Sequence, residues 1–335
     1  MRIPEHIILS RTDSIGDVVL TLPMAGLLKQ RFPGVRITFI GRNYTAPVLD
    51  RCSHVDHVIT LEELATDATN DAVERIRSLK ADSLIHVFPQ RNVAVWGKRA
   101  GIPHRIGTSH RLWHWTTCNE RVSFSRRKSD LHEAQLNIKL LGPLGIEEIP
   151  SLDTLNALYG LEVPAPDEQV RSLLRTDRIN VILHPGSRGS AVEWGLPNFA
   201  ALMHMLDPAV HHCIITGTAA EREGYAADLP LELPHVTDAG GVLQLEQLIT
   251  LIGASQALVA ASTGPLHIAA AAGTRAIGLY SPRRPIHPGR WAPLGRDAHA
   301  LVHDAACAEC AAGKSCTCIA QIAPQRVLDL INAPR

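Results

Sequence analysis

Apolar positions along the chain fall into two alternating rhythms. Short β-branched runs predict strands at 6–10, 35–40, 57–60 and 83–88, with helical spacing between them at 17–31 and 71–80. In 17–31 the residues Val18, Val19, Leu22, Ala25 and Leu28 mark one apolar face, and Phe32-Pro33-Gly34 stops the helix. The alternation resumes with strands expected at 180–184, 210–217, 257–261 and 275–280 and helices at 197–205, 219–227, 245–252 and 265–272. Between the two series, residues 147–167 concentrate proline and acid and read as a linker. Strand–helix alternation implies parallel sheets covered on both faces. The expected fold is α/β, two Rossmann-like domains facing a cleft, divided as 1–160 and 161–335.

Composition narrows the classes. At roughly 100–200 residues per domain, 335 residues agree with two domains. Lys plus Arg and Asp plus Glu are 33 each, so the formal charge is zero, and 45% hydrophobic residues suffice for a buried core. A disordered tail, a collagen-like repeat and a small disulfide scaffold are excluded. The longest apolar runs, 257–261 and 268–272, fall short of the roughly 18–20 residues of a membrane span. The opening MRIPEHIILSR does not read as a secretory signal, so a cytoplasmic location is expected. Cys52, Cys118 and Cys213 stand singly among apolar neighbours, as core cysteines do.

Open parallel sheets bind ligands beyond the carboxyl ends of their strands. Three loops there are unusual. The first, SRTDSIGD at 10–17, delivers Asp17 to the start of a helix, where the helix dipole favours its ionised form. Asp13, Ser14 and Asp17 also suit an ordinary cap. In the second, HPGSRGSAVEW at 184–194, Gly186 and Gly189 permit close backbone approach, Ser187 and Ser190 offer hydroxyls, and Arg188 offers a guanidinium suited to phosphate. A surface turn anchored by Trp194 fits equally. In the third, ASTGPLHIAAAAG at 261–273, Ser262 and Thr263 are cap-type residues, Pro265 suits the first helical position and Gly273 closes the helix. Its free N–H groups make an anion site, with His267 one turn in.

In this order, SIGD, HPGS…W and STGPLHIAAA resemble glycosyltransferase family 9, whose best-known members are the ADP-heptose:lipopolysaccharide heptosyltransferases. The resemblance covers nearly the whole chain. It implies a GT-B fold with acceptor on the first domain and nucleotide-sugar donor, ADP-heptose foremost, on the second. It implies inverting, metal-independent transfer without a cofactor. Asp17 matches the catalytic base. Ser187, Arg188, Thr263, Gly264, Pro265 and His267 match the diphosphate side of the donor site, Glu221 falls at the ribose-binding glutamate, and residues 239–243 would line the base. Two positions depart from the lipopolysaccharide enzymes: Val192 stands where they carry Lys, and Ser262 where they usually carry Asp. These departures leave the donor sugar open.

Between Gln90 and Lys128 nine Lys or Arg face one acid, Glu120, with Trp96, Trp113 and Trp115 interleaved. Arg105, Arg111, Arg126, Arg127 and Lys128 are the candidates for an anionic glycolipid or oligosaccharide acceptor, or for peripheral contact with the cytoplasmic face of the inner membrane. A solvated charged face is the plain alternative, and nucleic acid is not expected. Near the C-terminus, Cys307, Cys310, Cys316 and Cys318 form CxxCx5CxC. Four sulfurs could hold zinc, but the middle gap is shorter than usual zinc-ribbon spacing, and a reduced, metal-free structural cluster is the preferred expectation.

Rival classes fit less well. No GxGxxG follows a strand, as a dinucleotide-dependent dehydrogenase would need. Gly313-Lys314-Ser315 lacks the strand and first glycine of a P-loop, and no DxD signals a metal-dependent transferase. A nucleotide-sugar epimerase on the same scaffold and a catalytically degenerate glycan-binding subunit remain as alternatives.

Overall fold

Twelve strands make two sheets of six, every pairing parallel. The structure is a computed structural model that describes residues 3–66, 69–189, 191–313 and 316–334, without the side chains of 66, 69 and 70. Ser190 and the Lys314-Ser315 pair therefore lie outside the described residues. The chain divides into two compact units, Met1–Glu162 and Val163–Arg335.

In the first unit, β1 (His6–Ser10), β2 (Arg36–Gly41), β3 (His57–Thr60), β4 (Ser83–His86), β5 (His104–Thr108) and β6 (Glu120–Val122) take the order β3-β2-β1-β4-β5-β6. In the second, β7 (Ile179–His184), β8 (His211–Ile215), β9 (Val236–Asp238), β10 (Ala257–Ala261), β11 (Arg275–Tyr280) and β12 (Ala298–Val302) take the order β12-β11-β10-β7-β8-β9. Each sheet grows outward in opposite directions from a central pair, β1–β4 or β7–β10. That pair is the topological switch point, where adjacent connections leave on opposite faces and open a crevice for a ligand. Every residue of β1, β4, β10 and β11 is buried, as expected for parallel strands with both faces covered.

The helix expected at 17–31 is two helices, Ile15–Val19 and Leu22–Arg31. Pro23 explains the break. It lacks an N–H and would collide with the carbonyl four residues back inside a continuous helix, so it sits in the first turn of a new one. Asp17 consequently lies in the first turn of a short helix that begins two residues earlier than expected, with Ser14 at its N-cap position. Strands β5, β6, β9 and β12 have no counterpart among the expected runs. Three of them are poor in β-branched residues, β6 and β9 are only three residues long, and β6, β9 and β12 are edge strands.

Residues 147–167 are not a free linker. Glu162 N–H donates to the Arg51 carbonyl at 2.8 Å and Ser53 N–H to the Gly160 carbonyl at 2.8 Å, which ties the segment to the first unit. Gly26 accommodates it, since a Cβ there would lie 2.3 Å from the Leu158 carbonyl oxygen. Val163 packs on Gly253 of the second unit, where a Cβ would meet it at 2.4 Å.

Candidate active site

At the first switch point Ser10 stands opposite His86, and the chain leaves β1 through Arg11. Arg11 is 3% exposed. Its Nε donates to Asp13 at 2.7 Å and its Nη1 to Glu133 at 3.2 Å and to Asn137 at 3.1 Å, while its Nη2 binds Asp17. The Ser14 hydroxyl donates to the other Asp17 oxygen at 2.5 Å. One guanidinium thus fixes the rotamer of Asp17, whose side chain keeps 16% of its surface exposed. Burial works against the charge on Arg11, but Asp17, Asp13 and Glu133 outweigh it and push its pKa up. At Asp13 burial prevails instead. Burial, opposed by Arg11 and reinforced by the charge of Asp17, raises it to about 6.

Beside this network the His86 ring is fully buried, and neither of its nitrogens has a hydrogen-bond partner among the described residues. Burial, with the neighbouring His114 and Arg105, lowers its pKa to about 3. It is neutral at physiological pH. The sequence reading did not single out Arg11, His86, Glu133 or Asn137. The available signal was an arginine directly after a strand with an apolar centre, a position from which a charge must find buried partners.

The second switch point gathers two of the three loops, because His184 of β7 pairs with Ala260 of β10. Following β7, Ser187 is buried. Its N–H donates to Glu193 at 2.8 Å and its hydroxyl to the same carboxylate oxygen at 2.7 Å, so Glu193, which the sequence reading passed over, closes the loop on itself. Arg188 is exposed, has φ +50°, and forms no ion pair with a described residue. A left-handed conformation is unfavourable for a residue with a side chain and marks functional constraint more often than chance. Glu221 reaches the same loop from the helix Ala219–Tyr225. Its Oε2 accepts from the Thr218 N–H at 2.7 Å and hydroxyl at 2.8 Å, while Oε1 lies where a Cβ on Gly186 would be only 2.6 Å away. Gly186 is required by that close approach.

Following β10, Thr263 caps the helix Gly264–Ala271, with Pro265 in its first turn. The Thr263 side chain does not bond back to the helix, and its buried hydroxyl has no partner among the described residues. The first N–H groups of an eight-residue helix and an unsatisfied hydroxyl therefore converge at one sheet edge, an arrangement suited to an anion. His267 lies one turn into the same helix and is 2% exposed.

The five basic acceptor candidates separate. Arg105 is engaged by main-chain carbonyls, with Nε donating to Thr117 at 2.8 Å and Nη1 bound to Ile102. Arg126 pairs with the buried Glu133 and donates to Asn137 at 3.1 Å and to the Val87 carbonyl at 3.2 Å. Both are partly exposed and engaged by protein acceptors, which leaves them fewer free donors than the other three. Arg111, Arg127 and Lys128 are exposed. Nearby, Leu112 is 86% and Trp115 60% exposed, with the Arg121 guanidinium 4.6 Å from the Trp115 ring centroid.

Several known glycosyltransferases are similar to this chain over nearly its whole length. Lipopolysaccharide heptosyltransferase 2 of Escherichia coli K12 is 25% identical over 352 residues, covering 95% of this chain and 95% of that protein. A glycosyltransferase family 9 structure from Veillonella parvula superposes with a TM-score of 0.81 at 18% identity, covering 98% of this chain and 97% of that one. The E. coli heptosyltransferase WaaC, solved with ADP, gives a TM-score of 0.69 at 16% identity over 97% and 98% of the two chains. The two Rossmann-like units are those of the GT-B fold. The family model for glycosyltransferase family 9 (heptosyltransferase) matches residues 71–319, most of the chain, and the protein belongs to that family and is a glycosyltransferase.

Proposed function

We propose that this protein transfers heptose from ADP-heptose to a lipopolysaccharide core or related anionic glycan by one inverting, metal-independent displacement. The observation that carries the reading is the Asp17 carboxylate at a switch point, oriented by Arg11 and Ser14 and still partly exposed. In the reaction an acceptor hydroxyl oxygen bonds to the anomeric carbon as the bond from that carbon to the diphosphate oxygen breaks. The hydroxyl proton passes to Asp17, and ADP leaves. Position is what the network supplies here, because Arg11 and Ser14 aim the carboxylate.

The second unit supplies the electrostatic half. The N–H groups at Gly264, the Thr263 hydroxyl and the Arg188 guanidinium receive the charge that grows on the departing diphosphate. With Oε2 held by Thr218, Glu221 keeps Oε1 to accept from a ribose hydroxyl. Ser187, committed to Glu193, shapes the loop. Transfer requires the two units to present these groups to one donor–acceptor pair. Membership of the family and the ADP-bound relative support ADP as the nucleotide. The absence of DxD from the sequence supports transfer without a metal ion.

Arg111, Leu112, Trp115, Arg121, Arg127 and Lys128 form the acceptor-side face in this reading. An exposed aromatic and an exposed leucine among cations suit an anionic glycolipid at a membrane surface, where each Lys or Arg contributes about 1 kcal/mol.

Asp17→Asn tests the assignment. Turnover falls roughly 10²–10⁴-fold, while ADP affinity by titration calorimetry stays at the wild-type value. Wild-type turnover in this variant removes Asp17 from the reaction. A melting-temperature panel of ADP-, UDP- and GDP-sugars tests the donor, since a ligand at 100 times its Kd stabilises the native state by about 2.7 kcal/mol. A response to UDP- or GDP-sugars alone refutes ADP-heptose.

A further inference from the structure

The four C-terminal cysteines are unused by the reaction. Cys307 caps the four-residue helix Ala308–Ala311, Cys310 lies within it, and Cys318 opens the short 3-10 helix Cys318–Gln321, with Cys316 just before. All four are free thiols, so no disulfide explains their meeting. Their sulfurs all lie within 4.8 Å of one another, with Cys316 to Cys318 at 3.0 Å, Cys307 to Cys316 at 3.5 Å and Cys310 to Cys318 at 3.9 Å. A regular tetrahedron of thiolates with metal–sulfur bonds of about 2.3 Å has edges of about 3.8 Å, the middle of that range. The Cys318 N–H points at the Cys316 sulfur from 3.3 Å, as main-chain donors do toward metal-bound thiolates. Cys310 and Cys318 are buried, and the Ser281 hydroxyl lies 3.4 Å from the Cys310 sulfur.

We propose that Cys307, Cys310, Cys316 and Cys318 bind one thiophilic transition-metal ion, zinc or iron, as a structural tetrathiolate site. This replaces the metal-free cluster preferred from sequence spacing. The short helix Ala308–Ala311 and the 3-10 helix Cys318–Gln321 carry the two halves of CxxCx5CxC to one place without the long loop of a zinc ribbon. The segment needs such a cross-link. Between Asp304 and Cys318 it offers mostly alanines, glycine and polar residues, too little apolar surface to hold a fold alone.

The site also lies where it can steady the second unit. Directly after the cysteines, the Ile322 carbonyl accepts from Trp194 Nε1 at 2.9 Å and the Ala320 carbonyl from Asn198 at 2.8 Å. Trp194 is fully buried and ends the loop that holds Ser187 and Arg188. The metal acts on that loop by position and takes no part in the transfer. Binding releases the thiol protons and leaves four sulfur–metal bonds, with no redox step.

The test is elemental analysis of full-length protein purified without chelators or immobilised metal. The expected result is about one zinc or iron ion per chain, with iron distinguished by visible thiolate-to-iron absorption that bleaches on reduction. Cys307→Ser/Cys316→Ser, chosen because both positions are half-exposed, loses that metal and melts at a lower temperature. Because the variant could misfold, wild-type protein stripped of metal is titrated with cobalt(II), which gives strong tetrahedral-thiolate bands saturating at one equivalent. Neither metal in wild-type protein and no saturating cobalt bands overturns the proposal. So does full metal retention by the double variant.

Discussion

Arg11→Met tests the central idea that one buried guanidinium builds the site around Asp17. The substitution keeps much of the side-chain volume and removes five N–H donors. Lost with them are the contacts to Asp13 at 2.7 Å, to Glu133 at 3.2 Å, to Asn137 at 3.1 Å and to Asp17. The Glu133 side chain is fully buried, so its charge becomes harder to sustain. Removing one partner of a buried ion pair typically costs about 3–5 kcal/mol. Arg126 remains on Glu133, which places the expected loss near the lower end. For a unit of this size, about 2–4 °C per kcal/mol turns 3 kcal/mol into a fall of about 6–12 °C in the first unit's transition.

The kinetic effect has a separate origin. Without Arg11, Asp17 retains the Ser14 hydroxyl but loses the donor that selects its rotamer. A displacement of about 1 Å from the productive geometry lowers turnover by roughly 10²-fold. Scanning calorimetry and initial rates below the transition measure the two effects independently. Arg11→Lys restores the charge but cannot span four acceptors, so it recovers only part of either loss. A methionine variant that melts within about 2 °C of wild type and turns over normally refutes the reasoning.

Three further outcomes follow from the geometry. His86 stays neutral down to about pH 3 in the folded protein, whereas the unfolded chain binds its proton below the ordinary 6.5. Acid therefore destabilises the folded wild type progressively from pH 6.5 toward 3, so its melting temperature should fall relative to that of His86→Phe on acidification, and a constant difference refutes this. Gly186→Ala would place a Cβ 2.6 Å from Glu221 Oε1; displacing that carboxylate should weaken ADP binding about tenfold by calorimetry with little change in melting temperature, and unchanged affinity refutes the ribose role. Leu112→Asp combined with Trp115→Ala should abolish co-sedimentation with anionic vesicles while leaving transfer to a soluble truncated acceptor intact, and unaltered sedimentation removes this face from membrane contact.

The two-sheet plan was legible because parallel strands buried on both faces are nearly continuous apolar runs. HIILS and ALVAA reproduce β1 and β10 to the residue. HRIGT, ERV and VTD carry glycine, charge or too little length, and only the neighbouring strands make them strands. The three loops were visible because glycine, proline and cap residues are local signals. Partners at long range left no such trace. Glu133 lies 122 residues from Arg11, and nothing near either residue announces the other. The same limit applies to Arg105 and Arg126, whose main-chain and carboxylate partners nothing in the basic stretch announced. A run of cations reports composition, while the direction of each side chain depends on which carbonyls and carboxylates the fold brings within reach.

The contrast between the two switch points is itself informative. In the first unit the Asp17 carboxylate is held by an ion network whose members satisfy one another, so its geometry exists before any substrate arrives. In the second, the N–H groups at Gly264, the Thr263 hydroxyl and the exposed Arg188 are donors still lacking a full set of acceptors, and the acids nearby, Glu193 and Glu221, are held by Ser187 and Thr218. A site left with donors binds most tightly the species richest in negative charge. In glycosyl transfer that species is the diphosphate as its bond to sugar breaks, more than the intact donor. On the proposed mechanism the fold would set a fixed base in one unit and a charge receptor in the other, lowering the barrier by what it leaves unsatisfied as much as by what it holds.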